Sequence, residues 1–173
     1  MDRLNLHNYE SHLKNELSYY LSADYPTELG QSQIYGVMLV SALVCGDYSF
    51  AREIEDIIGE STDKKTIALA RASANIADMR RNEDFSSSLD IEDVKIDFWI
   101  YMLAALFISN FGSYIKLRKK LQKNTDIDEV TIHNVILITE AVQSISDIHK
   151  VESGRKKKVL VVDDEVQLMQ MPA

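Results

Sequence analysis

The chain has 173 residues and a mass of 19.7 kDa, enough for one ordinary domain with a buried core. Its 46% hydrophobic and 27% charged residues exclude a disordered or collagen-like chain. A formal net charge of -8 disfavours nucleic acid and anionic lipid surfaces as partners, and the single cysteine, Cys45, excludes an internal disulfide. Because Met1 to His7 lacks the apolar run of a signal peptide, we expect a cytoplasmic protein.

The first half of the chain predicts four helices. Only two prolines and six glycines interrupt the sequence, which is too few for a protein of many hairpin turns. Apolar side chains three and four positions apart, together with helix-ending glycines, mark each helix. The predicted helices cover residues 6–21, 31–44, 49–58 and Ser61 or Thr62 to Arg80, and a polar loop follows over 82–88.

The second half repeats this order. An apolar segment over 98–109 precedes a basic stretch over 116–123 and a helix from Asp126 or Asp128 to about His149. A shift of 64 positions lays Met38 and Leu39 on Met102 and Leu103, and Phe50 on Tyr114. The pattern is consistent with an internal duplication of a long-short-long helix unit. We therefore predict an all-α fold, a compact six-helix bundle.

One segment requires a membrane span to be considered. Residues 98–115 carry no charge over 18 positions, close to the ~20 that cross a bilayer, and basic residues follow. However, polar residues weaken the last turn of this segment, and the helix over 31–44 is an equally apolar partner. The prediction is a buried helix and no membrane contact.

No catalytic or metal-binding motif is present in the helical body. The four histidines, His7, His12, His133 and His149, do not have the spacing of metal ligands, and no cofactor-binding motif appears. Cys45 lies at a predicted helix C-terminus, whose partial negative charge raises a thiol pKa. We therefore predict no metal, no cofactor and a packing role for Cys45.

Four segments of the body carry a resemblance to a known family. They are Tyr9 to Leu17, Gln33 to Ala42, Ile67 to Met79 and Asp97 to Asn110. Over about residues 8–150 the pattern and order of these helices resemble the alkylhydroperoxidase D-like, or carboxymuconolactone decarboxylase-like, all-α fold. The family's middle loop would be shortened between residues 84 and 95.

The sequence departs from this family at its active site. The resemblance implies a Cys-x-x-Cys pair, a relay histidine and a glutamate, but Phe111, Tyr114, Arg118 and Trp99 occupy those positions. Peroxide reduction needs one thiolate to attack and a second thiol to resolve, which aromatic rings cannot supply. The interpretation is a degenerate, non-catalytic relative in which the aromatic residues Trp99, Phe111 and Tyr114 pack in the former site.

The C-terminal 21 residues have a different composition. A basic stretch over 153–158 predicts a linker, and Val159 to Glu165 predicts a strand ended by Asp163 and Asp164. This strand resembles the first strand of a response-regulator receiver domain, where such an acid pair helps to hold magnesium. About a hundred further residues would be needed for a receiver. The segment is therefore either a truncated receiver or a plain charged and apolar tail, attached to a helical domain over 1–152.

These observations favour a non-enzymatic module that binds another protein or itself. One form of this role is an input or regulatory partner of a phosphorelay receiver. The apolar helix surface predicts a homo-oligomer, from dimer to hexamer. The alternative is an antioxidant hydroperoxidase-like enzyme that uses Cys45 or the thiols of a partner.

Overall fold

The computed structural model describes residues 26–60, 62–79 and 95–170, together with residues 15, 18–20 and 22. Side chains are described as far as Val151, except that of Ile57. Most of the predicted helix over 6–21 and all of the loop over 82–88 lie outside the described residues. The described part is all-helical, which confirms the predicted fold class. Its helices are α1 Gln31–Val44, α2 Tyr48–Ile58, α3 Lys64–Met79, α4 Ile96–Ser109, α5 Phe111–Asn124 and α6 Glu129–Gln170.

Short polar side chains set the helix starts. Asp47 and Asn110 accept from the backbone N–H groups of the third residues of α2 and α5 at 3.1 and 3.2 Å. Asp63 and Asp128 do the same at 2.7 and 2.8 Å for α3 and α6. These bonds satisfy amide donors that the first helical turn leaves free. The cap of α3 is therefore Asp63 and not Thr62, while the alternative predicted cap, Ser61, lies outside the described residues.

The core forms around α1 and α4. Nearly every residue of α1 from Ile34 to Val44 is buried, and so is every residue of α4 from Phe98 to Leu106. The two helices approach closely at Gly36, where an added methyl group would overlap the Tyr101 ring. A single glycine therefore permits this contact.

The two halves pack in the same way. Helix α1 packs on α2, α3 and α6, α4 packs on α5, α6 and α3, and α1 and α4 pack on each other. Gln33 Nε2 donates to Asp97 Oδ1 at 2.7 Å, and the two residues are separated by 64 positions. This is the offset found in the sequence. The predicted short middle helix is present in the first half, where α2 has 11 residues, but α4 and α5 both have 14 residues, so the long-short-long pattern does not hold in the second half.

The uncharged segment over 98–115 is not one helix. Asn110, with φ -156° and ψ 83°, ends α4 and begins α5. No helix among the described residues is both long enough and apolar enough to cross a membrane. The expected buried helix corresponds to α4.

The predicted linker over 153–158 and strand over 159–165 are wrong as structural elements. Helix α6 continues without a break through both, to Gln170. A lone strand would leave its backbone N–H and C=O groups without partners, whereas a helix pairs them within the segment. Lysine and arginine are also good helix formers, so the basic stretch does not stop α6.

Candidate functional site

An apolar groove lies between the start of α6 and the α4–α5 corner. Its volume is about 510 Å³. We call it the α5/α6 groove. One wall is made by Phe107, Phe111, Tyr114 and Ile115, and the other by Val130, Ile132, His133 and Ile136. Arg118 and Glu129 complete the lining.

Helical spacing places the α5 side chains in the groove. Phe111, Tyr114 and Arg118 are three and four positions apart, so they lie on one face over two turns. The rings of Phe107, Phe111 and Tyr114 contact one another, with centroids 5.3 to 5.8 Å apart. This separation is typical of favourable aromatic pairs.

Three of the four predicted site residues therefore meet in one place, and the fourth does not. Phe111, Tyr114 and Arg118 line the groove, whereas Trp99 is buried on α4 and does not line it. The Trp99 indole Nε1 is buried without a hydrogen-bond partner among the described residues.

The predicted packing role holds for Trp99 and Tyr114, which are 1% and 3% exposed. For Phe111 it is wrong, because 57% of this residue is exposed. Phe111 begins α5, where the chain turns out of the core after Asn110. Its ring therefore lies at the edge of the groove and is not packed in the core.

An ion pair closes one end of the groove. Arg118 Nη2 donates to Glu129 Oε1 at 2.8 Å, which links α5 to the first turn of α6. The Glu129 side chain is 74% exposed and that of Arg118 is 33% exposed. Water screens such a pair, so it holds the helices together only weakly.

A second polar cluster lies at the other end of α6. His149 Nδ1 pairs with Asp47 Oδ2, and Lys150 Nζ donates to the Cys45 carbonyl oxygen. Burial alone would raise the pKa of Asp47. The hydrogen bonds from His149 and the Phe50 amide, with the nearby charges of His149 and Lys150, lower the pKa below its usual value instead.

Cys45 is next to this cluster at the end of α1. Burial raises the pKa of the Cys45 thiol above its usual value, more than the Ser146 hydroxyl and the Lys150 charge lower it. The thiol is therefore predominantly protonated at neutral pH, and a thiol in this state is a poor nucleophile. This agrees with the direction that its place at a helix C-terminus predicted.

Asp163 and Asp164 lie in the helical part of α6 beyond Val151, where side chains are not described. Among the described residues, no group of three or more His, Cys, Asp or Glu could hold a metal ion.

The sequence singled out Phe111, Tyr114 and Arg118 because the family resemblance implies active-site residues at their positions. It did not predict that they line a groove. The spacing of Phe111, Tyr114 and Arg118 could have placed them on one face. Nothing local indicates that Glu129 faces Arg118. Comparisons with protein-family models, curated proteins and solved structures return no match.

Proposed function

We propose that this protein is a non-catalytic helical interaction module that works as a homo-oligomer. The observation that carries the proposal is an exposed apolar face on α6. Leu137, Ile148 and Val151 are 37%, 46% and 55% exposed. An exposed run of large apolar side chains on one helix face indicates an interaction surface.

The spacing of this face favours a second copy of the chain as the occupant. Leu137, Ala141, Ser144, Ile148 and Val151 follow one another at intervals of four, three, four and three residues. This 3.5-residue period is the pattern of side chains between two helices of a coiled coil. We call these five residues the α6 seam. The small Ala141 and Ser144 let the paired helices approach closely.

The proposal extends to signalling through the α6 helix. We propose a cytoplasmic module of alkylhydroperoxidase D-like descent without a redox thiol pair. Helix α6 carries the seam and then continues to the receiver-like residues, so self-association brings the C-terminal segments of two chains together. The raised thiol pKa of Cys45 supports a non-catalytic reading, because an attacking cysteine needs a thiolate.

Light scattering tests the self-association. The wild-type chain should give twice its monomer mass of 19.7 kDa or more at micromolar concentration. Ile148→Lys combined with Val151→Lys should give the monomer with an unchanged helical circular dichroism spectrum. Met79, which is 82% exposed on α3, provides the control, since Met79→Lys should not alter the mass. A monomeric wild-type chain would contradict the homo-oligomer.

A peroxide-consumption assay with a thiol reductant tests the absence of catalysis. Neither the wild-type chain nor Cys45→Ser should consume peroxide above the rate of buffer. Turnover by the wild-type chain that is lost in Cys45→Ser would establish the enzyme alternative.

A further inference from the structure

The α5/α6 groove has the size and lining of a small-ligand site. Its volume of about 510 Å³ falls within the range of small-molecule pockets, which are mostly apolar with a few placed polar groups. Phe111 and Val130 stand at its edges and are 57% and 61% exposed. A ligand in the groove would cover apolar surface that water contacts in its absence.

One polar group of the groove, Arg118, is a cation with a replaceable partner. Arg118 lies seven residues after Phe111, two helical turns or about 10 Å along α5. Its guanidinium binds the carboxylate of Glu129, which is 74% exposed and therefore contributes little to holding the pair. A carboxylate that arrives with an apolar body could take the same position on Arg118.

The first half of the chain contains an ion pair that can be compared with Arg118–Glu129. This pair joins α2 to α3, and its charges are exchanged: the acid, Glu55, is on α2 and the arginine, Arg71, is on α3. The two pairs join equivalent helices, and within the described part of the chain the second pair places Arg118 beside the rings of Phe111 and Tyr114. The Arg71–Glu55 pair therefore serves as a matched control.

We infer that the α5/α6 groove binds an amphiphilic monocarboxylate, whose apolar body lies against Phe111 and Tyr114 and whose carboxylate replaces that of Glu129 on Arg118. A purely apolar molecule would leave Arg118 paired as it is and would gain no charged contact. A small polar anion would gain the cation but cover none of the aromatic rings. The combination of cation and rings selects a molecule that carries both features.

Calorimetric titration of the full chain tests this inference. The probes are decanoate, as an aliphatic carboxylate, and 2-naphthoate, as an aromatic one, with 1-decanol as the uncharged control. At least one carboxylate should bind saturably, and the stronger of the two identifies the apolar body that the groove prefers. Absence of saturable binding by both carboxylates, or binding of 1-decanol as tight as that of decanoate, would overturn the inference.

Replacing Arg118 and replacing Glu129 should change the affinity for the carboxylate in opposite directions. Arg118→Gln should weaken carboxylate binding about tenfold or more, since it removes a charge-assisted hydrogen bond. Glu129→Gln should strengthen binding about two- to threefold, because it removes the competing carboxylate. Arg71→Gln should leave the affinity unchanged.

Phe111→Ala should weaken binding with little change in melting temperature, because this ring is largely exposed. Unchanged affinity in Arg118→Gln, or weaker binding in Glu129→Gln, would contradict the assigned geometry. The inference does not rest on the proposed self-association. The mass of the wild-type chain is read by light scattering, so the two can fail separately.

Discussion

At the scale of single residues, Asp47 connects the start of α2 to α6. One carboxylate oxygen accepts from the Phe50 amide at the start of α2, and the other pairs with His149 of α6. Lys150 of the same helix donates to the carbonyl oxygen of Cys45, which ends α1. The corner between α1 and α2 is thus tied to α6 by the side chains of Asp47, His149 and Lys150.

Replacing Asp47 should separate its two roles. Asp47→Ala removes the cap and the ion pair and should cost about 1–2 kcal/mol, whereas Asp47→Asn keeps a capping oxygen and should cost less. Since folding lowers the pKa of Asp47, its carboxylate stabilises the fold above the pKa of the unfolded chain. That stabilisation is lost as the pH falls through the folded-state pKa.

The difference in melting temperature between wild type and Asp47→Asn should therefore shrink as the pH is lowered from about 5 to about 3. Asp56→Asn, at an exposed position of α2, is the control for removing one carboxylate charge. A difference that stays constant over this range would show that the Asp47 charge does not stabilise the fold.

At the scale of the helix, local patterns predicted the body well and failed at the tail. The predicted helix over 31–44 matches α1, and the apolar segment over 98–109 lies within α4. Their boundaries are set by glycine, asparagine and apolar spacing, which are visible locally. The run Val159 to Val162 suits a buried strand, but a strand needs a partner that local pattern does not supply. The element it forms is part of α6.

Replacement of Gly36 by alanine tests how closely α1 approaches α4, and the same replacement at Gly112 is the control. Gly36→Ala should destabilise the protein by about 1–3 kcal/mol, because the new methyl group would force α1 away from Tyr101. Gly112→Ala, in the exposed first turn of α5, meets nothing closer than the Asn110 side chain at 3.8 Å. This control should stabilise the protein slightly, since alanine favours the helix. Chemical denaturation measures both, and equal effects would show that the approach of α1 to α4 is not tight.

At the scale of the whole molecule, helix caps recur in the two halves of the chain, whereas the α5/α6 groove has no counterpart in the sequence pattern. The caps at Asp47 and Asn110, and at Asp63 and Asp128, repeat with nearly the same offset. The groove arises where the halves differ, so periodicity could not predict it. The contact of Arg118 with Glu129 depends on how α5 and α6 turn toward each other after residue 124, which is a property of tertiary packing.

The length of α6 leads to a prediction about the tail. Among the side chains that the structure describes, the buried apolar residues of α6 run from Ile132 to Ile145. The contacts of His149 and Lys150 also precede Glu152. Truncation after Glu152 should therefore leave the melting temperature nearly unchanged, while the helical ellipticity per molecule falls because residues 153–170 are helical. It should also preserve the oligomer, since the α6 seam ends at Val151.

A shorter chain provides the control for this truncation. Ending the chain after Gln143 removes buried Ile145 and the His149 partner of Asp47, so the melting temperature should fall markedly. A drop of more than about 5 °C on truncation after Glu152, equivalent to about 2 kcal/mol for a chain of this length, would show that residues 153–173 pack on the body. Loss of the oligomer with an unchanged melting temperature would instead place the association beyond Val151, in the C-terminal part of α6.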